Sequence, residues 1–171
     1  MESKTVIKLI VGSILSLVLL IGLFGSFYTI DSGERGIVLQ NGKAYKVATD
    51  GLNFKIPFIE DVKKTSIRTQ QVAANASAGT KDLQTVTAQV SVNYRLSESA
   101  LLQIYSTTGT NLNESIIAPR VQEAVKAVAA NYSAADLLLR REEVKNGITE
   151  ALRGELARYN VILEATQITN F

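Results

Sequence analysis

The stretch TKDLQTVTAQVSVNYRLS, Thr80 to Ser97, decides the fold. Val86, Ala88, Val90, Val92 and Tyr94 alternate there with Thr87, Gln89, Ser91 and Asn93. Successive side chains of a strand point to opposite faces, so this is a strand with one dry face and one wet face. After Ser97 the period changes. Ser97 is placed to cap a helix that carries Leu101, Ile104 and Tyr105 on one face as far as Gly109. A longer helix is expected over Asn113–Asn131, with Ile117, Val121, Ala124, Val125 and Val128 as its stripe and Pro119 in its first turn. Ser133 to Asp136 has the form of a capping box with Asp in place of Glu, and opens a short helix. The run from Arg140 to Tyr159 aligns Val144, Ile148, Ala151, Leu152, Leu156 and Tyr159, with Gly147 and Gly154 weakening it. Val161 to Thr169 alternates again and reads as a closing strand.

Upstream of the long strand the elements are shorter. Ile37-Val38-Leu39 and Ala44 to Val47 flank Asn41-Gly42, a dipeptide suited to a tight hairpin turn. Leu52, Phe54 and Ile56 alternate with Asn53 and Lys55 until Pro57 ends the ladder. Phe58 and Ile59 follow. This apolar stretch is either core or a tip that dips into a membrane interface through Phe54, Phe58 and Ile59. Thr65 to Ala73 reads as a strand and Ala74 to Gly79 as a small polar loop. Strands grouped ahead of helices give an α+β class.

From Leu9 to Ile30 the chain has 22 residues without a charge. At about 1.5 Å per residue this crosses a hydrocarbon core of about 30 Å. A signal peptide has a shorter apolar region and a small-x-small ending, which Leu23-Phe24-Gly25 does not match. The segment is therefore read as a membrane anchor through Leu9, Ile14, Leu19, Leu20, Phe24, Phe27 and Tyr28. Lys4 and Lys8 oppose Arg35 and Lys43, so the positive-inside rule does not fix the orientation. The expected division is an anchor over 1–30, a β-rich part over 31–64 and an α+β part over 65–171.

The formal net charge is +2 and no Lys/Arg run exceeds two residues, which argues against a nucleic-acid partner. The chain has no Cys and no His. That removes thiolate chemistry, the usual zinc ligands and the Ser-His and Cys-His nucleophile pairs. The adjacent carboxylates Glu60-Asp61 and Glu142-Glu143 have no defined partner. No catalytic residue, cofactor or metal site is expected, and the composition points to a non-enzyme.

Several stretches carry a resemblance to one family. They are GERGIVLQNGKAY, DGLNFKIPFIEDV, TKDLQTVTAQVSVNYRL, IIAPRVQEAVKAVAANYSAADLLLRREEV and LARYNVILEATQITNF, in that order along nearly the whole chain. The chain resembles the SPFH or band 7 family, which includes stomatin, prohibitin, flotillin and the HflK/HflC pair. It is most similar to the prohibitin branch through KDLQ, IIAP and ITNF. Asn53 stands where the family usually has His. The family normally continues into a long coiled-coil region, so the sequence is expected to be a truncated segment.

The resemblance implies a single-pass membrane scaffold. Self or paralogous subunits would form a ring or cage on the lipid and enclose a patch of bilayer. Such an assembly would modulate a membrane-bound AAA protease of the FtsH type. The charged side of the Arg140–Tyr159 helix, with Arg140, Arg141, Glu142, Glu143, Glu150, Arg153 and Arg158, is the candidate subunit contact. A lipid-organising role in the manner of stomatin or flotillin is the alternative. A bacterial inner membrane with a periplasmic body is the first expected location, and the mitochondrial inner membrane the second.

Overall fold

A computed structural model describes residues 7–8, 10–16, 25–109 and 111–170. The anchor residues Leu9, Leu19, Leu20 and Phe24 lie outside them. Residues 10–16 are helical and exposed, Ile14 among them. Among the described residues no helix is long and apolar enough to cross a membrane. The chain divides into two units, Met1–Ser66 and Ile67–Phe171.

Among the described residues the first unit holds five strands: β1 (Phe27–Ile30), β2 (Glu34–Gln40), β3 (Lys43–Ala48), β4 (Gly51–Phe54) and β5 (Glu60–Ser66). β2 is central between β3 and β5, all antiparallel, and β1 pairs with β4 as a separate two-stranded ribbon. The Asn41-Gly42 turn has φ of 49° and 83°, the left-handed pair that a two-residue hairpin needs. Ile30, Val38 and Ala48 form a small core with Tyr28 and Val62 against it. Gly36 keeps that core closed: a Cβ there would meet Ile30 Cδ1 at 2.6 Å and Val62 Cγ1 at 3.0 Å. Asn53 donates through Nδ2 to the carbonyls of Thr49 (2.7 Å) and Gly51 (3.2 Å), which fixes the turn into β4.

Two expectations need correction here. Phe27 and Tyr28 belong to β1, where Phe27 lies opposite Phe54 and Tyr28 opposite Asn53. The ribbon satisfies their backbone groups, so a continuous helix through Ile30 is excluded. Nor is there one strand over Thr65–Ala73. β5 ends at Ser66 and β6 begins at Gln70.

The second unit holds β6 (Gln70–Gly79), β7 (Thr85–Leu96) and β8 (Val161–Asn170), with β7 central in an antiparallel sheet. Between β7 and β8 come a 3-10 turn at Glu98–Ala100, α1 (Leu101–Thr108), a π turn at Asn113–Ile117, α2 (Ala118–Ala129), α3 (Ala134–Leu139) and α4 (Arg141–Ala157). Ser97 stands at the cap position without a side-chain cap bond. The Ala74–Gly79 segment, expected as a loop, is the second half of β6. Its Ala74, Ala76 and Ala78 are buried, and their small side chains let α2 approach the sheet. Low β-propensity hid this strand, and cross-strand pairing with Val86 to Val90 overrides it.

The core of the second unit is what the periodicities imply. Ala88, Val90, Val92 and Tyr94 of β7 are buried, as are Val121, Ala124 and Val125 of α2 and Val144, Ile148, Leu152 and Leu156 of α4. Tyr94 Oη finds Asn113 Oδ1 at 2.8 Å, which satisfies a buried hydroxyl. Ser133 Oγ accepts from the Asp136 N–H at 3.1 Å and donates to its carboxylate at 2.8 Å, capping α3. Arg120 links α2 to α4: its guanidinium lies 5.5 Å over the Tyr159 ring and 3.8 Å from Glu155.

The KDLQ turn also has a structural account. Thr80 Oγ1 accepts from the Gln84 N–H at 3.1 Å and donates to Asp82 Oδ1 at 2.5 Å. Asp82 Oδ1 accepts from Ala134 N–H at the start of α3 (3.2 Å), and the Lys81 N–H donates to Tyr132 O (2.9 Å). The motif therefore ties the β6–β7 connection to the helical layer.

Candidate functional site

The first unit exposes an apolar face. In an antiparallel pair, residues directly opposite share a face, and so do residues two apart. Phe27 faces Phe54 across the ribbon, and Leu52 follows two residues before Phe54. The Phe27 and Phe54 rings meet edge to face with centroids 5.8 Å apart. The Lys55 N–H donates to Ser26 O at 2.7 Å, which carries the pairing past the strand end towards Ile56. Phe27, Leu52, Phe54, Ile56, Phe58 and Ile59 are all exposed, with Phe58 at 92%. Scattered exposed apolar residues are ordinary, but six large ones on one ribbon and its adjoining loop make this the candidate interaction surface.

The loop is built tightly. The Glu60 N–H donates to Ile56 O at 2.9 Å and the Asn41 N–H donates to Ile59 O at 3.1 Å. Glu60 Oε2 accepts from the Ile56 N–H at 2.8 Å, and its other carboxylate oxygen accepts from the Tyr45 hydroxyl. The Tyr45 hydroxyl, and after it the Ile56 N–H, hold the Glu60 carboxyl below the usual carboxylate range. The same bond raises Tyr45. Phe58 sits at the loop tip with φ +68°, in the left-handed region that disfavours bulky side chains.

Of the residues singled out from sequence, Phe54 is exposed on the ribbon, and Phe58 and Ile59 are exposed in the adjoining loop. Phe27, expected in the anchor, joins them. Leu52 and Ile56 belong as well. Their alternation was visible, but the sequence does not say whether a dry strand face is covered.

The charged residues of the other candidate set lie in the second unit and have local partners. Arg140 approaches Asp136 (3.7 Å) and Glu143 (3.9 Å). Glu143 also accepts from Tyr132 Oη at 3.0 Å. Glu142 pairs with Lys145 at 2.5 Å, Glu150 with Arg153, and Arg158 with Glu155 at 3.2 Å. Arg141 donates to the carbonyls of Ile168 (2.6 Å) and Thr169 (3.4 Å), so it braces β8. Exposed pairs of this kind contribute about 0–1 kcal/mol each, which leaves them free to exchange partners.

Comparison with known proteins identifies the family. Residues 28–171 match the model of the SPFH domain / Band 7 family. The chain is 35% identical over 147 residues to "Prohibitin-7, mitochondrial" of Arabidopsis thaliana, covering 85% of this chain and 53% of that protein. It is 32% identical over 161 residues to "Prohibitin-2" of Schizosaccharomyces pombe, covering 90% and 56%. It is 29% identical over 147 residues to "Mitochondrial prohibitin complex protein 1" of Caenorhabditis elegans, covering 85% and 54%. The chain thus spans about half the length of the curated relatives it matches. With an α+β body matched from Tyr28 onward and prohibitins among its relatives, the chain belongs to the SPFH domain / Band 7 family.

Proposed function

We propose that this chain is a subunit of a membrane-anchored scaffold whose first unit rests on the lipid surface. The observation that carries the reading is the exposed apolar face of Phe27, Leu52, Phe54, Ile56, Phe58 and Ile59. Its Phe27 belongs to the uncharged run that begins at Leu9, and the part of that run ahead of β1 is the proposed anchor. An apolar face held beside a membrane segment is suited to shallow burial at the headgroup boundary. Phe27 then acts as an interfacial residue outside the anchor helix, while Tyr28, on the opposite face of β1, packs against the small core.

Self or paralogous subunits assemble on the membrane into a ring or cage that encloses a lipid patch. The name of the nematode relative, which includes the word complex, supports this part of the reading. The α4 face, with Arg140, Glu142, Glu143, Glu150, Arg153 and Arg158, supplies mixed charges for lateral contact. Arg141, engaged with β8, has a bracing role instead. The ring works by geometry: it restrains a membrane-bound AAA protease and controls access to it, without bond chemistry of its own. Of the two locations considered, the names of the plant relatives favour the mitochondrial inner membrane.

The test is the mass of the complex extracted from membranes in mild detergent, using the protein at its natural length. A discrete particle of many subunits, with an AAA protease travelling alongside, is the expected result. A particle without a protease and enriched in one lipid class points to the lipid-organising role. A monomer or dimer overturns the scaffold.

A further inference from the structure

We propose that Glu60 and Tyr45 form a latch that holds the Ile56–Ile59 loop in a preset conformation, so that Phe58 meets lipid as a rigid wedge. The inference rests on the membrane-facing reading of the first unit. A bulky residue at positive φ persists only where its surroundings over-determine the backbone. Phe58 is 92% exposed, so no packing around its own ring supplies that determination.

The loop's ends supply it. One carboxylate does two jobs: Glu60 Oε2 takes the Ile56 N–H at 2.8 Å, and the other oxygen takes the Tyr45 hydroxyl from β3. The Glu60 N–H closes the loop onto Ile56 O at 2.9 Å, and the Asn41 N–H from the β2–β3 turn holds Ile59 O at 3.1 Å. Pro57 fixes one further φ within the loop. Hydrogen bonds to a charged acceptor are the stronger kind, and here both anchor the same four-residue segment. A loop ordered before it binds loses less conformational freedom on insertion, so the latch raises the fraction of chains with Phe58 in the bilayer. Glu60 and Tyr45 are positioning residues: they need not touch lipid themselves.

The chain has no Trp, so Phe58→Trp provides a single fluorescent reporter. The full chain carrying Phe58→Trp is reconstituted into phosphatidylcholine vesicles whose acyl chains are brominated near the headgroup. Quenching of the reporter is the expected parent result. Adding Glu60→Ala reduces that quenching about threefold, the scale expected when charge-assisted bonds that preset a loop are removed. Tyr45→Phe, which deletes one hydroxyl, reduces it by a smaller factor. Amide exchange at Ile37 and Lys63, paired across β2 and β5, stays slow in both, which separates a loosened loop from a lost sheet. Should Glu60→Ala lose that protection, Tyr45→Phe alone decides the matter. Undiminished quenching in the variants that keep the sheet overturns the latch and leaves the membrane-facing reading standing. An unquenched parent reporter overturns that reading, and the latch with it.

Discussion

Two strands of this molecule carry the same kind of alternation and end differently. In the second unit Val90, Val92 and Tyr94 of β7 are buried, in a sheet packed by α2 and α4. In the first unit Leu52 and Phe54 of β4, with Ile56 beyond, stay exposed. Strand chemistry puts apolar side chains on one face in both. Among the described residues, only the second face is matched by an amphipathic helix in the same unit. The contrast separates an apolar surface that stabilises the fold from one that stays exposed and is proposed to meet lipid.

The sharpest way to break the comparison is to truncate one apolar side chain on each side. Leu152→Ala removes a fully buried side chain of α4 and should lower unfolding stability by about 2–5 kcal/mol in urea titration. Phe58→Ser removes a larger group that is already exposed, and it relieves nothing in a core. Serine crowds the positive-φ backbone less than Phe does, so stability should fall far less than in Leu152→Ala, while vesicle binding weakens. Equal destabilisation by the two would erase the distinction.

The first unit does have a core, and Gly36 tests its tightness. Gly36→Ala sets a methyl against Ile30 and Val62 and should cost about 1–3 kcal/mol, read from the same titration. The α4 helix offers the opposite case at Gly154, where an added Cβ meets nothing within 4 Å. Gly154→Ala should stabilise the second unit by about 0.5–1 kcal/mol through helix propensity alone, seen as a higher urea midpoint. Gly147 is less free, since a Cβ there would touch Val128 Cγ1 at 3.4 Å.

The smallest expected effect is on acidity. The Glu60 carboxyl is held below its ordinary value by the Tyr45 hydroxyl and then the Ile56 N–H. A depressed carboxylate contributes its stabilisation above the unfolded-state value and loses it as pH falls through the folded one. The Ile56 amide resonance should therefore stay constant at neutral pH and shift only below the usual glutamate range. Asp82 and Asp136, lowered first by the hydroxyls of Thr80 and Ser133, titrate with the same sign in the second unit. A shift of the Ile56 resonance near neutral pH would show that the latch carboxylate is not held in this way.

The α+β class, β7, the helical stripes of α2 and α4, the Asn41-Gly42 hairpin and the Ser133 cap were all legible in the residues. Each depends on neighbours a few positions away, so a local pattern suffices. The Ala74–Gly79 half of β6 was not legible, because only its pairing with β7 makes a strand of six small residues. Nor was the strand at Phe27–Ile30, whose apolar run continues the preceding one until β4 claims it. The face itself lay between these cases. Phe54, Phe58 and Ile59 were readable as interface candidates from their composition, but Phe27 reaches them only through the ribbon register. The Glu60–Tyr45 pairing spans fifteen positions and two strands. Sequence by itself determined which faces are apolar, since that follows from residue type and period. Tertiary structure alone decided which of those faces are covered, because burial requires a second surface brought in from elsewhere in the chain.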